Sequence, residues 1–94
     1  MRILVVGATG TLGQAIIREL APRHEIVRAS RKGADVAVDI TDMESVRRLY
    51  ATVGALDAVA CAAGNVHFGP LTQMQPEHLQ LGLADKLMGQ VNLV

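Results

Sequence analysis

The chain has a single cysteine, Cys61, among its 94 residues, so no internal disulfide can form. That usage fits a reducing cytosol, and a cytoplasmic location is the expectation. Cys61 lies in an apolar run and reads as a small buried hydrophobe. Charge of neither sign dominates: nine basic and nine acidic residues give a formal net charge of zero. A nucleic acid or an acidic surface is therefore not expected as a partner. No apolar run reaches the ~18 residues of a membrane span. Met1–Arg2 leads directly into a strand, without the cleavage site of a signal peptide. Internal repeats and low-complexity segments are absent. Nowhere does Gly-Lys-Ser/Thr follow a glycine turn, which excludes a P-loop.

Half of the residues are hydrophobic and the mean hydropathy is +0.29, a core-rich composition that fits one domain over residues 1–94. The chain is organised around Arg2–Ile3–Leu4–Val5–Val6–Gly7–Ala8–Thr9–Gly10–Thr11–Leu12–Gly13. Ile3–Val6 is continuous and apolar, as in a strand buried on both faces of a parallel sheet. Thr11–Leu20 reads as a helix. Gly7, Gly10 and Gly13 thus occupy a strand-to-helix turn, the context of a dinucleotide-binding fingerprint. Gly7 allows a tight turn, Gly10 lets backbone approach a pyrophosphate, and Gly13 lets helix and strand pack closely. The pyrophosphate belongs at the helix N-terminus, among unpaired N–H groups. A turn serving only chain reversal has no need of three glycines and their entropy cost.

The helix carries Ala15, Ile16, Ile17 and Leu20 on its apolar face and ends before Pro22. His24–Ala29 reads as a second strand, Asp35–Asp39 as a third. Thr41–Asp42–Met43–Glu44 has the form of a capping box with Thr41 as the cap. The following helix turns Val46, Leu49, Tyr50 and Val53 inward and stops at Gly54. Leu56–Cys61 reads as a fourth strand, opening into Ala62–Ala63–Gly64. Pro76 suits the first position of a last helix. There Leu79, Leu83, Leu87 and Val91 recur every four residues and read as its buried stripe. Lys86–Val94 resembles the middle of a helix, without a stop signal. Strands alternating with helices predict an α/β fold: a doubly wound, Rossmann-like parallel sheet in the order 3-2-1-4, truncated before a fifth strand. Gly7, Ser30, Asp39 and Ala62 all fall at carboxyl ends of strands, where such a sheet binds its ligand.

The end of the second strand selects the nucleotide. An NAD site places Asp or Glu there for the ribose hydroxyls. Here Ala29–Ser30–Arg31–Lys32 stands instead. Arg31 can grip a 2′-phosphate with its planar fork, and Ser30 can add a hydrogen bond. NADP(H) is the expected cofactor. Asp39 and Ile40 are placed to border the adenine.

With these motifs the chain resembles the N-terminal half of the Rossmann domain of the short-chain dehydrogenase/reductase family. Gly7–Gly13 looks like the family's glycine motif in its G-x-x-G-x-x-G form, and Ser30–Arg31 like its NADP-selecting pair. Asp39–Ile40–Thr41 is similar to the segment beside the adenine. Cys61–Ala62–Ala63–Gly64 matches the family's Asn-Asn-Ala-Gly in Ala63 and Gly64. Lys86–Leu87–Met88–Gly89 falls where the family has an Asn-x-x-Gly turn, with Lys86 replacing the Asn of the proton relay. The resemblance implies hydride transfer between NADP(H) and a carbonyl or alcohol substrate. It also implies a homo-oligomer contact through the last helix.

The family's chemistry uses a Ser and a Tyr-x-x-x-Lys, with the Tyr as general acid/base. In this chain the one tyrosine is Tyr50, followed four residues later by Gly54. No residue here is assigned that role, so the chain alone is expected to be inactive. Lys86 as a substitute base and His67 facing the nicotinamide or substrate are lesser hypotheses. Two alternatives stand beside the oxidoreductase reading. One is a non-catalytic NADP(H)-binding module. The other is a bare fragment, whose open strand edge and uncovered last helix favour association.

Overall fold

Alternating residues of a strand point to opposite faces, and the first strand fills a core on each side. In β1 (Arg2–Val6), Leu4 and Val6 enter one core, while Ile3 and Val5 enter the other. Leu4 and Val5 are fully buried, as expected of a central strand. The computed structural model describes residues 1–64 and 69–94. After β1 come α1 (Thr11–Leu20), β2 (Glu25–Ser30), the short β3 (Val36–Ala37), α2 (Met43–Val53) and β4 (Ala58–Cys61). A 3₁₀ turn at Leu71–Gln73 precedes α3 (Pro76–Gly82). The helix continues through a π-helical stretch, Leu83–Met88, into α4 (Gly89–Leu93).

The four strands are parallel in the order β3-β2-β1-β4, as the sequence pattern predicts. Leu4 lies opposite Val27 on one side and Val59 on the other. Ile17 of α1 packs with Ile3, Val5 and Ala8 on one face. Val46, Leu49 and Val53 of α2, with Leu93, cover the other. This is the doubly wound arrangement. Arg2 fastens the amino ends of the strands. Its Nη1 donates to the carbonyls of Val53 and Ala55, and its backbone N–H donates to Asp57 Oδ2 at 2.8 Å.

Four local expectations are corrected. β3 is shorter than Asp35–Asp39. Val38 N–H still reaches the Ser30 carbonyl at 2.9 Å, but Asp39 N–H turns to Ser45 Oγ at 2.8 Å, and the chain leaves the sheet for α2. The cap of α2 is Asp42, whose carboxylate accepts from Glu44 N–H at 3.0 Å. Thr41 is held by Asp39 instead, and Glu44 pairs with Arg47. Cys61 is half-buried at the edge of its core, not enclosed. Finally, Leu79, Leu83, Leu87 and Val91 are 48–54% exposed. The inward row, also spaced by four, is Asp85, Gly89 and Leu93, all buried. Asn92 Nδ2 donates to the Ile40 carbonyl at 2.9 Å, and the Tyr50 hydroxyl donates to the Leu93 carbonyl. These bonds lock that row against α2 and the segment between β3 and α2. Tyr50 is half-buried against the core, and burial raises its phenol above the ordinary range.

Candidate functional site

The carboxyl ends of β1, β2 and β4 meet at a cleft of about 220 Å³. Of the residues named from the sequence, Gly7, Thr9, Ser30, Arg31, Ile40, Ala63 and Gly64 line it, joined by Val6, Val38 and Asp85, whereas Ala8, Gly10, Thr11, Leu12, Gly13, Asp39 and Ala62 do not. The glycine turn forms one wall. Gly7 adopts φ +85°, a left-handed conformation open to glycine. A Cβ there would stand 2.7 Å from the Ala62 carbonyl carbon, so β4's exit lies directly against the turn. Gly7 and Ala8 donate to the Ala29 carbonyl at 2.8 and 3.1 Å, tying the turn to β2. Ala8 is itself buried.

Gly10 is the N-cap of α1 and supplies no side chain. A Cβ at Gly10 would meet only the Gly7 carbonyl oxygen, at 3.5 Å, so the space beside the turn is open. Gln14 N–H makes the first helical bond, to the Gly10 carbonyl at 2.9 Å. The amides of Thr11, Leu12 and Gly13 have no acceptor among the described residues. The first turn also holds no acidic residue. Three donors without a described acceptor stand at the positive end of a ten-residue helix, where backbone N–H groups and the dipole favour negative charge. This donor set, with glycine in place of a bulkier cap, fits a pyrophosphate.

The opposite wall is the exit of β2. Ser30 is buried, and its hydroxyl donates to the Lys32 carbonyl, so its proton is engaged within the loop. Arg31 reaches across the cleft. Its Nη2 lies 3.2 Å from Asp85 Oδ1 and 3.8 Å from Asp39 Oδ1. Asp39 does not line this cleft; with Arg31 it borders an adjoining concavity. Asp39 Oδ1 accepts the Thr41 hydroxyl at 2.6 Å and the Thr41 N–H at 3.0 Å. These bonds, with a lesser contribution from Arg31, hold its pKa below the ordinary 3.8. A depressed carboxylate stabilises the fold above its unfolded pKa and loses that contribution as pH falls through its folded value. Replacing Asp39 with Asn is therefore expected to flatten the loss of stability on acidification below about pH 4. Denaturant midpoints measured between neutral and acid pH check this.

Lys86 Nζ donates to the Ala63 carbonyl at 3.2 Å, which ties the last helix to the exit of β4. Asp85 is the charged cleft residue absent from the sequence reading, beside the apolar Val6 and Val38. Its signal is the four-residue spacing with Gly89 and Leu93. His67 lies outside the described residues. Among the described residues, no group of His, Cys, Asp or Glu could hold a metal, and no helix is long and apolar enough to cross a membrane.

Residues 1–67 match the family model of the RmlD substrate binding domain. The chain belongs to that family. The structure is also similar to that of the protein lin1944 from Listeria innocua, with 43% identity and a TM-score of 0.94, covering 99% of this chain and 46% of that one. A small-chain dehydrogenase solved in complex with NADPH is 24% identical, with a TM-score of 0.85, covering 99% of this chain and 42% of that one. Sorbitol-6-phosphate 2-dehydrogenase from Erwinia amylovora is 23% identical, with a TM-score of 0.86, covering 97% and 45%. The chain thus spans about half the length of the solved structures it matches. The α/β fold, with its parallel sheet in the order β3-β2-β1-β4, is shared with these solved dehydrogenases.

Proposed function

We propose that the chain binds NADP(H) and forms the cofactor half of an oxidoreductase acting on a carbonyl or alcohol. The observation that carries this reading is Arg31, which lines the cleft next to the glycine turn, where an NAD site has a carboxylate. In this reading the amides of Thr11–Gly13 hold the pyrophosphate. Arg31 takes the 2′-phosphate, Ile40 borders the adenine, and the backbone of Ala62–Gly64 limits the cleft on the far side. The bound cofactor supplies or accepts a hydride. The chain's own residues hold and orient it, and NADPH in the solved small-chain dehydrogenase of the same fold supports the assignment. The protein is assigned to the cytoplasm, with the apolar row of Leu79, Leu83, Leu87 and Val91 as a contact for a second copy. One observation favours a binding module without turnover. The Tyr50 phenol is spent on the Leu93 carbonyl and packs against the core, so it is not available for proton transfer.

Calorimetric titration of the chain with NADPH and NADH tests the proposal. A charge-assisted hydrogen bond contributes about 1.5–3 kcal/mol, so NADPH is expected to bind about 10- to 100-fold more tightly. Equal affinities would overturn the assignment of Arg31.

A further inference from the structure

The inward row of the last helix carries one charged group. Asp85 lies in the π-helical stretch with its side chain only 6% exposed. A carboxylate buried to that degree is costly unless a cation meets it. The cation is Arg31, 54 positions away in sequence, with Nη2 at 3.2 Å from Oδ1. Among the described residues the Asp85 carboxylate has no other hydrogen-bond donor. Asp39 approaches the same arginine nitrogen at 3.8 Å. Both carboxylates therefore meet one end of the fork. Nη1 and Nε of Arg31 have no acceptor among the described residues.

We infer that Asp85 is a positioning residue for a phosphate on the adenosine ribose: it holds Arg31 through one Nη2 contact and leaves the remaining N–H groups of the guanidinium to bind that phosphate. The inference rests on the NADP(H) reading. Three considerations support it. Arg31 is 56% exposed, and without a tether its long side chain would spread over solvent-facing rotamers. A phosphate cannot draw Arg31 away without stranding a buried carboxylate, so the guanidinium has to serve both groups at once. Its planar fork suits that, because its five N–H groups along the Nε–Nη2 and Nη1–Nη2 edges can donate to separate acceptors. The mounting is also rigid. Leu93 in the core, and Asn92 on the Ile40 carbonyl, anchor the same helix that carries Asp85. Asp85 also repels a phosphate. The guanidinium lies between the two anions, and salt screens the remainder across an open cleft.

The test is calorimetric titration with adenosine 2′,5′-bisphosphate and with AMP, which differ only in the 2′-phosphate. The unmodified chain, Asp85→Asn, Asp85→Ala and Arg31→Ala are compared, with thermal unfolding as the control for folding. Either Asp85 variant is expected to weaken the bisphosphate by about 3- to 10-fold, the range for ordering one long side chain, and AMP by less than about twofold. Arg31→Ala is expected to abolish the excess affinity altogether. Unchanged or tighter bisphosphate binding in the Asp85 variants, while Arg31→Ala still responds, overturns the positioning role alone. Equal losses for both ligands would make Asp85 a purely structural residue and overturn it as well. If the unmodified chain binds both ligands alike and Arg31→Ala changes nothing, the NADP(H) reading falls and the role of Asp85 falls with it.

Discussion

Gly13→Ala is expected to lower the thermal midpoint of the chain by roughly 8–16 °C. Alanine at a helical position normally gains about 1 kcal/mol over glycine. Here a Cβ would stand 2.0 Å from the Gly7 carbonyl oxygen, 2.8 Å from its carbon and 3.0 Å from Ala8 Cα. All three are backbone atoms of the turn, so no rotamer change relieves the overlap. Either α1 moves off the sheet, opening the core around Ile17, or the turn loses its bonds to Ala29. Overpacking of this kind costs about 3 kcal/mol at the upper end of its usual range. The net loss is then about 2 kcal/mol, and a domain of this size shifts by about 4–8 °C per kcal/mol. A scan of circular dichroism against temperature measures it. An unchanged or raised midpoint would mean that helix and turn are not packed as described.

Arg31→Ala is expected to weaken NADPH by about 10- to 100-fold and to change NADH by less than about twofold. The alanine removes the cation that stands at the cleft between Ser30 and Asp85. It also leaves two carboxylates, Asp39 and Asp85, facing the ribose side without compensation. NADPH, which carries the 2′-phosphate, meets that excess negative charge, whereas NADH does not. Arg31→Lys should restore part of the affinity, since a point charge replaces the fork but cannot bond along two edges. Calorimetry on the three proteins separates these outcomes. Parallel losses for both nucleotides would show that Arg31 supports the fold, with no selection of the phosphate.

Much of the fold was legible because its constraints are local. Gly7 and Gly13 have backbone contacts that exclude any side chain, and the spacing of such glycines is visible in the sequence. α1 runs Thr11–Leu20 as the apolar pattern predicts, since Pro22 and the turn bound it on either side. The strand order follows from right-handed crossovers between parallel strands. The last helix was read the wrong way round for a physical reason. A period of four identifies residues that share a face but not which face meets the core. Two rows with that period run along it, and the less apolar one, Asp85–Gly89–Leu93, is buried because glycine admits Ile40 closely. The cap of α2 went to Asp42, not Thr41, because Asp39 captures the threonine hydroxyl. Asp85 escaped notice because its partner Arg31 is distant in sequence, and no local pattern encodes such a pairing.

Amide chemical shifts recorded while NADPH is added to the chain are the most direct test that the glycine turn holds the cofactor. The unpaired amides of Thr11, Leu12 and Gly13 are expected to move most, together with Ser30 and Arg31, all saturating with one dissociation constant. Shifts confined to the exposed face of the last helix, or no saturable change at Thr11–Gly13, would contradict it.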